Sequence, residues 1–159
     1  MDNMNKEKIK LRFFLPEDYD QIFALWKSDP NIGLSDADSE EKIIKYLAHN
    51  PGGSFIALDG DKVVGTILCG HDGRRGYIHH LFVASQMRSK GIGRRLVELG
   101  LKYFVKEEID KCHLFIFGDN DSGKQFWKAL GFEERQDIDL FSRTLKKGSA
   151  GVDSCESPY

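Results

Sequence analysis

The chain has 159 residues with a net charge of −2, 40% hydrophobic and 30% charged residues. These values suit a soluble globular fold that buries roughly 70% of its unfolded surface. They give no overall basic field for nucleic acid, and no apolar run approaches the ~18 residues of a membrane helix. Cys69, Cys112 and Cys155 have neither metal-ligand spacing nor an even disulfide framework, and the N-terminus lacks a signal-peptide core. The expectation is a cytoplasmic protein without a metal, acting on neither nucleic acid nor membrane.

In chain order, Ile9–Leu15 reads as a strand stopped by Pro16. Glu17 and Asp18 place acid in the first turn of a helix carrying Ile22, Phe23, Leu25 and Trp26. After the breaker cluster 29–33, a second amphipathic helix runs from about Ser39 to His49. Ser54–Leu58 and Lys62–Cys69 form a hairpin about Asp59-Gly60-Asp61, and a looser connection, Gly70–Gly76, leads into a strand at Tyr77–Val83. A long helix over 92–109, a strand at His113–Phe117, and a short helix at Asp121–Leu130 ending on Gly131 follow. Phe132–Leu145 supplies the last strand or strands, and the tail from Lys146 reads as disordered. The order β-α-α-β-β-β-α-β-α-β predicts a single α/β domain over 7–145, with a mixed, mostly antiparallel sheet and helices on both faces.

Arg88-Ser89-Lys90-Gly91-Ile92-Gly93 lies between the strand ending at Val83 and the long helix. The first amides of a helix lack carbonyl partners and carry partial positive charge, so such a turn is an anion site. Gly91 and Gly93 let a phosphate approach the backbone, while Arg88, Lys90, Arg94 and Arg95 add formal charge. The expected ligand is a pyrophosphate. Leu96 stands where the dinucleotide-binding fingerprint needs its third glycine, which disfavours nicotinamide. A second stretch, Gly118–Gln125, matches the nucleotide P-loop up to its last position. There Gln125 replaces the magnesium-binding Ser or Thr, and Asp119 and Asp121 bring negative charge into the loop.

Together the two strand–turn–helix units resemble the GNAT superfamily of acetyl-CoA-dependent N-acetyltransferases. Its phosphate-loop pattern is Arg88-x-x-Gly91-x-Gly93. Its second pattern is Asn120-x-x-Gly123-x-x-Phe126-Trp127-Lys128-Ala129-Leu130-Gly131-Phe132. The resemblance covers roughly residues 9–142. It implies that Leu81, Phe82 and Val83 pair through their backbone with the pantetheine arm. It also implies that Arg88, Ser89, Lys90, Gly91, Ile92, Gly93 and Arg94 hold the diphosphate, with Asn120, Gly123 and Trp127 as further cofactor contacts. An amine would attack the thioester directly, the enzyme positioning both reactants and removing a proton.

In some relatives a glutamate stands where this chain has His79, so His79 is the first candidate base and His80 the second. Strand alternation predicts that the two histidines face opposite sides unless a bulge intervenes; both also read as structural or surface histidines. Trp127 occupies the position of the usual tyrosine acid and cannot give up a proton at neutral pH. Asp29–Asp38 and Gly70–Gly76 are the expected walls of the acceptor site, with Asp29, Asp36, Asp38, Glu40 and Glu41 offering negative charge. The acceptor stays open between a small-molecule amine and a protein or peptide amine, and a homodimer stays open too. A non-catalytic acyl-CoA-binding or regulatory module is the alternative reading; a P-loop nucleotide binder is a remote third.

Overall fold

The structure, a computed structural model, describes residues 8–145. The expected disordered tail from Lys146 lies outside the described residues. Those described fall into two compact units that divide between Leu114 and Phe115.

In the first unit, β1 (Ile9–Phe13), β2 (Phe55–Asp59), β3 (Lys62–His71), β4 (Gly76–Val83) and β5 (Cys112–Leu114) form one sheet in chain order. The first four strands are antiparallel and β5 is parallel to β4. This is the mixed, mostly antiparallel α/β arrangement the sequence predicts. The β2–β3 turn is closed by the pair Asp59 and Lys62, with Gly60 at φ 62° supplying the backbone this two-residue loop demands. β3 is buried from Val63 to Gly70, so it reads as one apolar run rather than an alternating one.

Helices α1 (Tyr19–Lys27) and α2 (Glu40–His49) cover one face of the sheet, and α3 (Ile92–Lys106) covers the other. Ile22 and Trp26 of α1 and Ile43 of α2 are buried against Ile56, Leu68 and Phe82. Opposite them, Gly100 of α3 lies so close to β3 that a Cβ there would stand 2.6 Å from Cys69 Sγ. Leu96 and Phe104 likewise close over Gly65 and Gly76. Glycine at these positions permits the close helix–sheet approach. Cys69 and Cys112 are free thiols.

The second unit contains α4 (Asp121–Ala129), after which Gly131 adopts φ 91° as a helix-ending glycine should. Two expectations are corrected. The strand proposed for His113–Phe117 is confined to Cys112–Leu114, because β4 offers ladder partners only from Gly76 to Ile78. No strand forms within 132–145, so the order ends in α4. Within its unit no described strand offers this segment a ladder, and Ile138, Leu140 and Phe141 are exposed.

Candidate active site

The sheet register breaks in β4. Thr66 pairs with Phe82 and Leu68 with His79, so two steps on β3 face three on β4. The extra residue makes a β-bulge, and His80 carries φ 46° within it, a left-handed conformation that costs a non-glycine residue roughly 1–2 kcal/mol.

A polar chain holds that conformation in place. Thr66 Oγ1 donates to the His80 carbonyl at 2.9 Å and accepts from Trp26 Nε1 at 3.0 Å. The Trp26 and His80 rings lie 4.7 Å apart, centroid to centroid. His80 Nε2 lies 2.6 Å from Asp38 Oδ1, and the two side chains are only 10% and 8% exposed. The carboxylate accepts, so Nε2 carries the proton. Asp38 is placed by the 3-10 turn Asp36–Asp38 between α1 and α2. Its other oxygen accepts from the Ser35 amide at 2.9 Å, and its carbonyl accepts from the Tyr19 hydroxyl at 2.7 Å.

The bulge also changes which way the histidines face. His79 meets the Tyr46 ring of α2 edge-on at 6.2 Å, while His80 meets Trp26 of α1. Both rings therefore lie on the α1/α2 face, where simple alternation placed them on opposite faces. Burial, reinforced by the neighbouring His80, lowers the His79 pKa below its ordinary value against an opposing pull from Asp38. His79 is thus neutral at physiological pH and chemically able to take a proton. His80 already commits Nε2 to Asp38.

β5 stops at the partner of Ile78, so it pairs with none of Leu81, Phe82 and Val83. Beyond them the chain makes a 3-10 turn, Ser85–Met87, and then passes through two left-handed residues, Ser89 at φ 63° and Gly91 at φ 82°. Gly91 is the N-cap of α3. It needs glycine for its backbone rather than for space, since a Cβ would meet nothing within 4 Å. Having no side chain, it caps none of the first amides, those of Ile92, Gly93 and Arg94. Arg88 to Gly91 are exposed, whereas Ile92, Leu96 and Val97 anchor the helix in the core.

The cations divide into two groups. Arg88 donates through Nε to the Val83 carbonyl at 2.9 Å, reaches Asp29 at 3.0 Å through Nη2, and lies over the Phe82 ring. Arg95 donates to the Ile9 carbonyl. Lys90 makes no ion pair among the described residues, and Arg94 makes only a long contact of 3.4 Å with Glu98. Lys90 and Arg94 are therefore the charges most available to an anion at this helix start. Three of the five acids at the expected acceptor wall are already engaged: Asp29 by Arg88, Asp38 by His80 and Asp36 by Lys42.

In the second unit Asn120 is the N-cap of α4, accepting from the Gly123 amide at 3.0 Å and from Ser122 Oγ at 3.3 Å. That bond occupies an amide a phosphate would need, which argues against a nucleotide P-loop over 118–125. Lys124 and Lys128 both pair with Glu134. Trp127 packs edge-to-face against Phe126 and Phe132 at 5.2 and 4.9 Å.

Sequence reasoning missed the pairings of Asp38 with His80 and Asp29 with Arg88. Only one local signal was available, the spacing Ser35-x-x-Asp38 of a capping box, which fixes the carboxyl near the turn but names no partner across the fold. Among the described residues no cluster of three or more His, Cys, Asp or Glu could hold a metal ion, and no helix is long and apolar enough to cross a membrane.

Among the described residues, a bulged strand whose end β5 leaves unpaired thus runs into an uncapped helix start. The family profile of the acetyltransferase (GNAT) family matches residues 19–132, and the chain belongs to that family. An acetyltransferase of Photorhabdus laumondii is 30% identical over 138 residues, covering 86% of this chain and 96% of its own length. The PaiA N-acetyltransferase of Thermoplasma acidophilum, solved with coenzyme A, superimposes with a TM-score of 0.71 at 19% identity. It aligns over 82% of this chain and 92% of its own. The NatC complex bound to Gag peptide and CoA gives a TM-score of 0.69 at 25% identity, over 81% of this chain and 87% of the matched one. The protein is an acyltransferase of this family.

Proposed function

We propose that the protein transfers an acetyl group from acetyl-CoA to an amine by direct attack on the thioester. The observation that carries this reading is the uncapped start of α3, directly after the bulged strand and flanked by Lys90 and Arg94. The diphosphate would lie against the amides of Ile92, Gly93 and Arg94, with Ser89 and Lys90 alongside. The pantetheine arm would follow Leu81 to Val83, where backbone donors can stabilise charge on the thioester oxygen. For Asn120, Gly123 and Trp127 the support is the sequence resemblance alone.

The acceptor nitrogen attacks the carbonyl carbon, negative charge builds on the carbonyl oxygen, and the C–S bond breaks. The amine proton passes to His79, directly or through one water, and coenzyme A leaves as a thiolate. A thiolate with a pKa near 8.5 can leave without full protonation, which fits tryptophan at position 127. Burial keeps His79 neutral, which favours it as the base of the pair. The NatC structure holds a peptide; a peptide amine is therefore one acceptor class to try, beside small-molecule amines.

The test is release of coenzyme A thiol, followed with a disulfide dye across a panel of peptide and small-molecule amines. Amine-dependent release that falls at least tenfold in His79→Gln supports the reading. Binding of acetyl-CoA with no release for any amine would instead mark a binding module.

A further inference from the structure

We propose that Asp38 is a positioning residue for acetyl transfer: its buried bond to His80 holds the β4 bulge, and with it the backbone of Leu81 and Phe82 that receives the thioester. This inference rests on the acetyl-transfer reading above. It assigns Asp38 a role exerted through His80.

Three observations support it. His80 holds a left-handed backbone that its side chain does not favour, so the surrounding structure must enforce it. Its side chain is fixed at one end by Asp38 at 2.6 Å, and its carbonyl is fixed at the other by Thr66 at 2.9 Å. Asp38 is itself fixed twice, through Ser35 and Tyr19, so the clamp is anchored to the segment joining α1 to α2 rather than to a mobile surface group. The next residues in the chain are Leu81 and Phe82. An error of about 1 Å in a donor aimed at a developing oxyanion costs on the order of 100-fold in rate. The diphosphate contacts would lie on a separate element, the start of α3, anchored by the buried Ile92, Leu96 and Val97. The clamp should therefore act mainly on turnover and reach coenzyme A affinity only through the pantetheine arm, a smaller effect.

The experiment compares Asp38→Ala, Asp38→Asn, His80→Ala and His80→Gly with the wild type, using the amine that supports turnover. It reads kcat, coenzyme A affinity by titration calorimetry, and thermal unfolding. Asp38→Ala should lower kcat on the order of 10- to 100-fold with coenzyme A affinity within threefold of wild type. Asp38→Asn keeps one acceptor oxygen and should recover part of the rate if the alanine variant does not fold. His80→Gly accepts φ 46° at no steric cost and should exceed His80→Ala in kcat. A folded Asp38→Ala or His80→Ala with kcat within threefold of wild type overturns the clamp, as does a loss of kcat matched by an equal loss of coenzyme A affinity. Failure of the wild-type protein to bind coenzyme A is a different result; it overturns the acetyl-transfer reading itself.

Discussion

The guanidinium of Arg88 meets the carboxylate of Asp29 at 3.0 Å, tying the loop before α3 to the residues that end α1. The arginine most diagnostic of the phosphate-loop pattern is thus paired within the protein. Its charge is balanced by Asp29, whose pKa is lowered first by the Asn31 amide and then by Arg88. Lys90 and Arg94 are the cations most available to an anion there.

Arg88→Ala should accordingly weaken coenzyme A by loosening the loop, without changing how steeply affinity falls with salt. Lys90→Ala should flatten that salt dependence and leave stability alone. The Arg88 pair is half-exposed, so its loss should cost only about 0.5–1 kcal/mol. Calorimetry at several salt concentrations, beside urea denaturation, reads both effects.

His79 should govern the acid limb of the rate profile. Burial holds its folded pKa below 6.5, so kcat/KM should rise through an ionisation below that value and be flat above it. The sign for stability runs the same way: the depressed pKa has no effect well above 6.5. As pH falls below 6.5 the unfolded chain takes up a proton that the folded one resists, and stability is lost. His79→Gln should remove this acid limb and make the fold less acid-sensitive, as pH-dependent rates and melting curves would reveal.

Gly100→Ala should destabilise the protein although alanine is the better helix former. The added Cβ would stand 2.6 Å from Cys69 Sγ, and overpacking of this kind costs about 1–3 kcal/mol. Cys69→Ala removes the obstructing sulfur, so the double variant should recover much of the loss. Denaturant midpoints of the four proteins in the cycle give the coupling.

Much of this architecture was legible in the residues. Breakers and apolar spacing located α1, α2 and the β2–β3 hairpin, and Gly131 marked the end of α4, because each depends on neighbours within a few positions. The turn from Arg88 to Gly93 was legible for the same reason, since glycine spacing at a helix start is local chemistry. What was not legible depended on distant partners. The alternation of β4 gave no sign that His80 occupies a bulge, because the bulge is defined by the register with Thr66 and Leu68. The apolar residues of 132–145 look strand-like, yet alternation says only what would suit a ladder, not whether one is present. The acids before α2 read as a negative wall for a cationic acceptor; in the fold Asp29, Asp36 and Asp38 already have basic partners.

We propose that the uncapped amides at the start of α3 hold the diphosphate of coenzyme A. It is tested most directly by calorimetric titration of coenzyme A and of pantetheine, which lacks the diphosphate, into the wild-type protein and Arg94→Asp. An acidic residue in a first helical turn favours the helix while repelling a bound anion, so the variant should keep its melting temperature. The expected result is coenzyme A binding far tighter than pantetheine in the wild type, and a loss of at least tenfold for coenzyme A alone in Arg94→Asp. Equal affinity of the two ligands for the wild type, or undiminished coenzyme A binding by a folded Arg94→Asp, would contradict it.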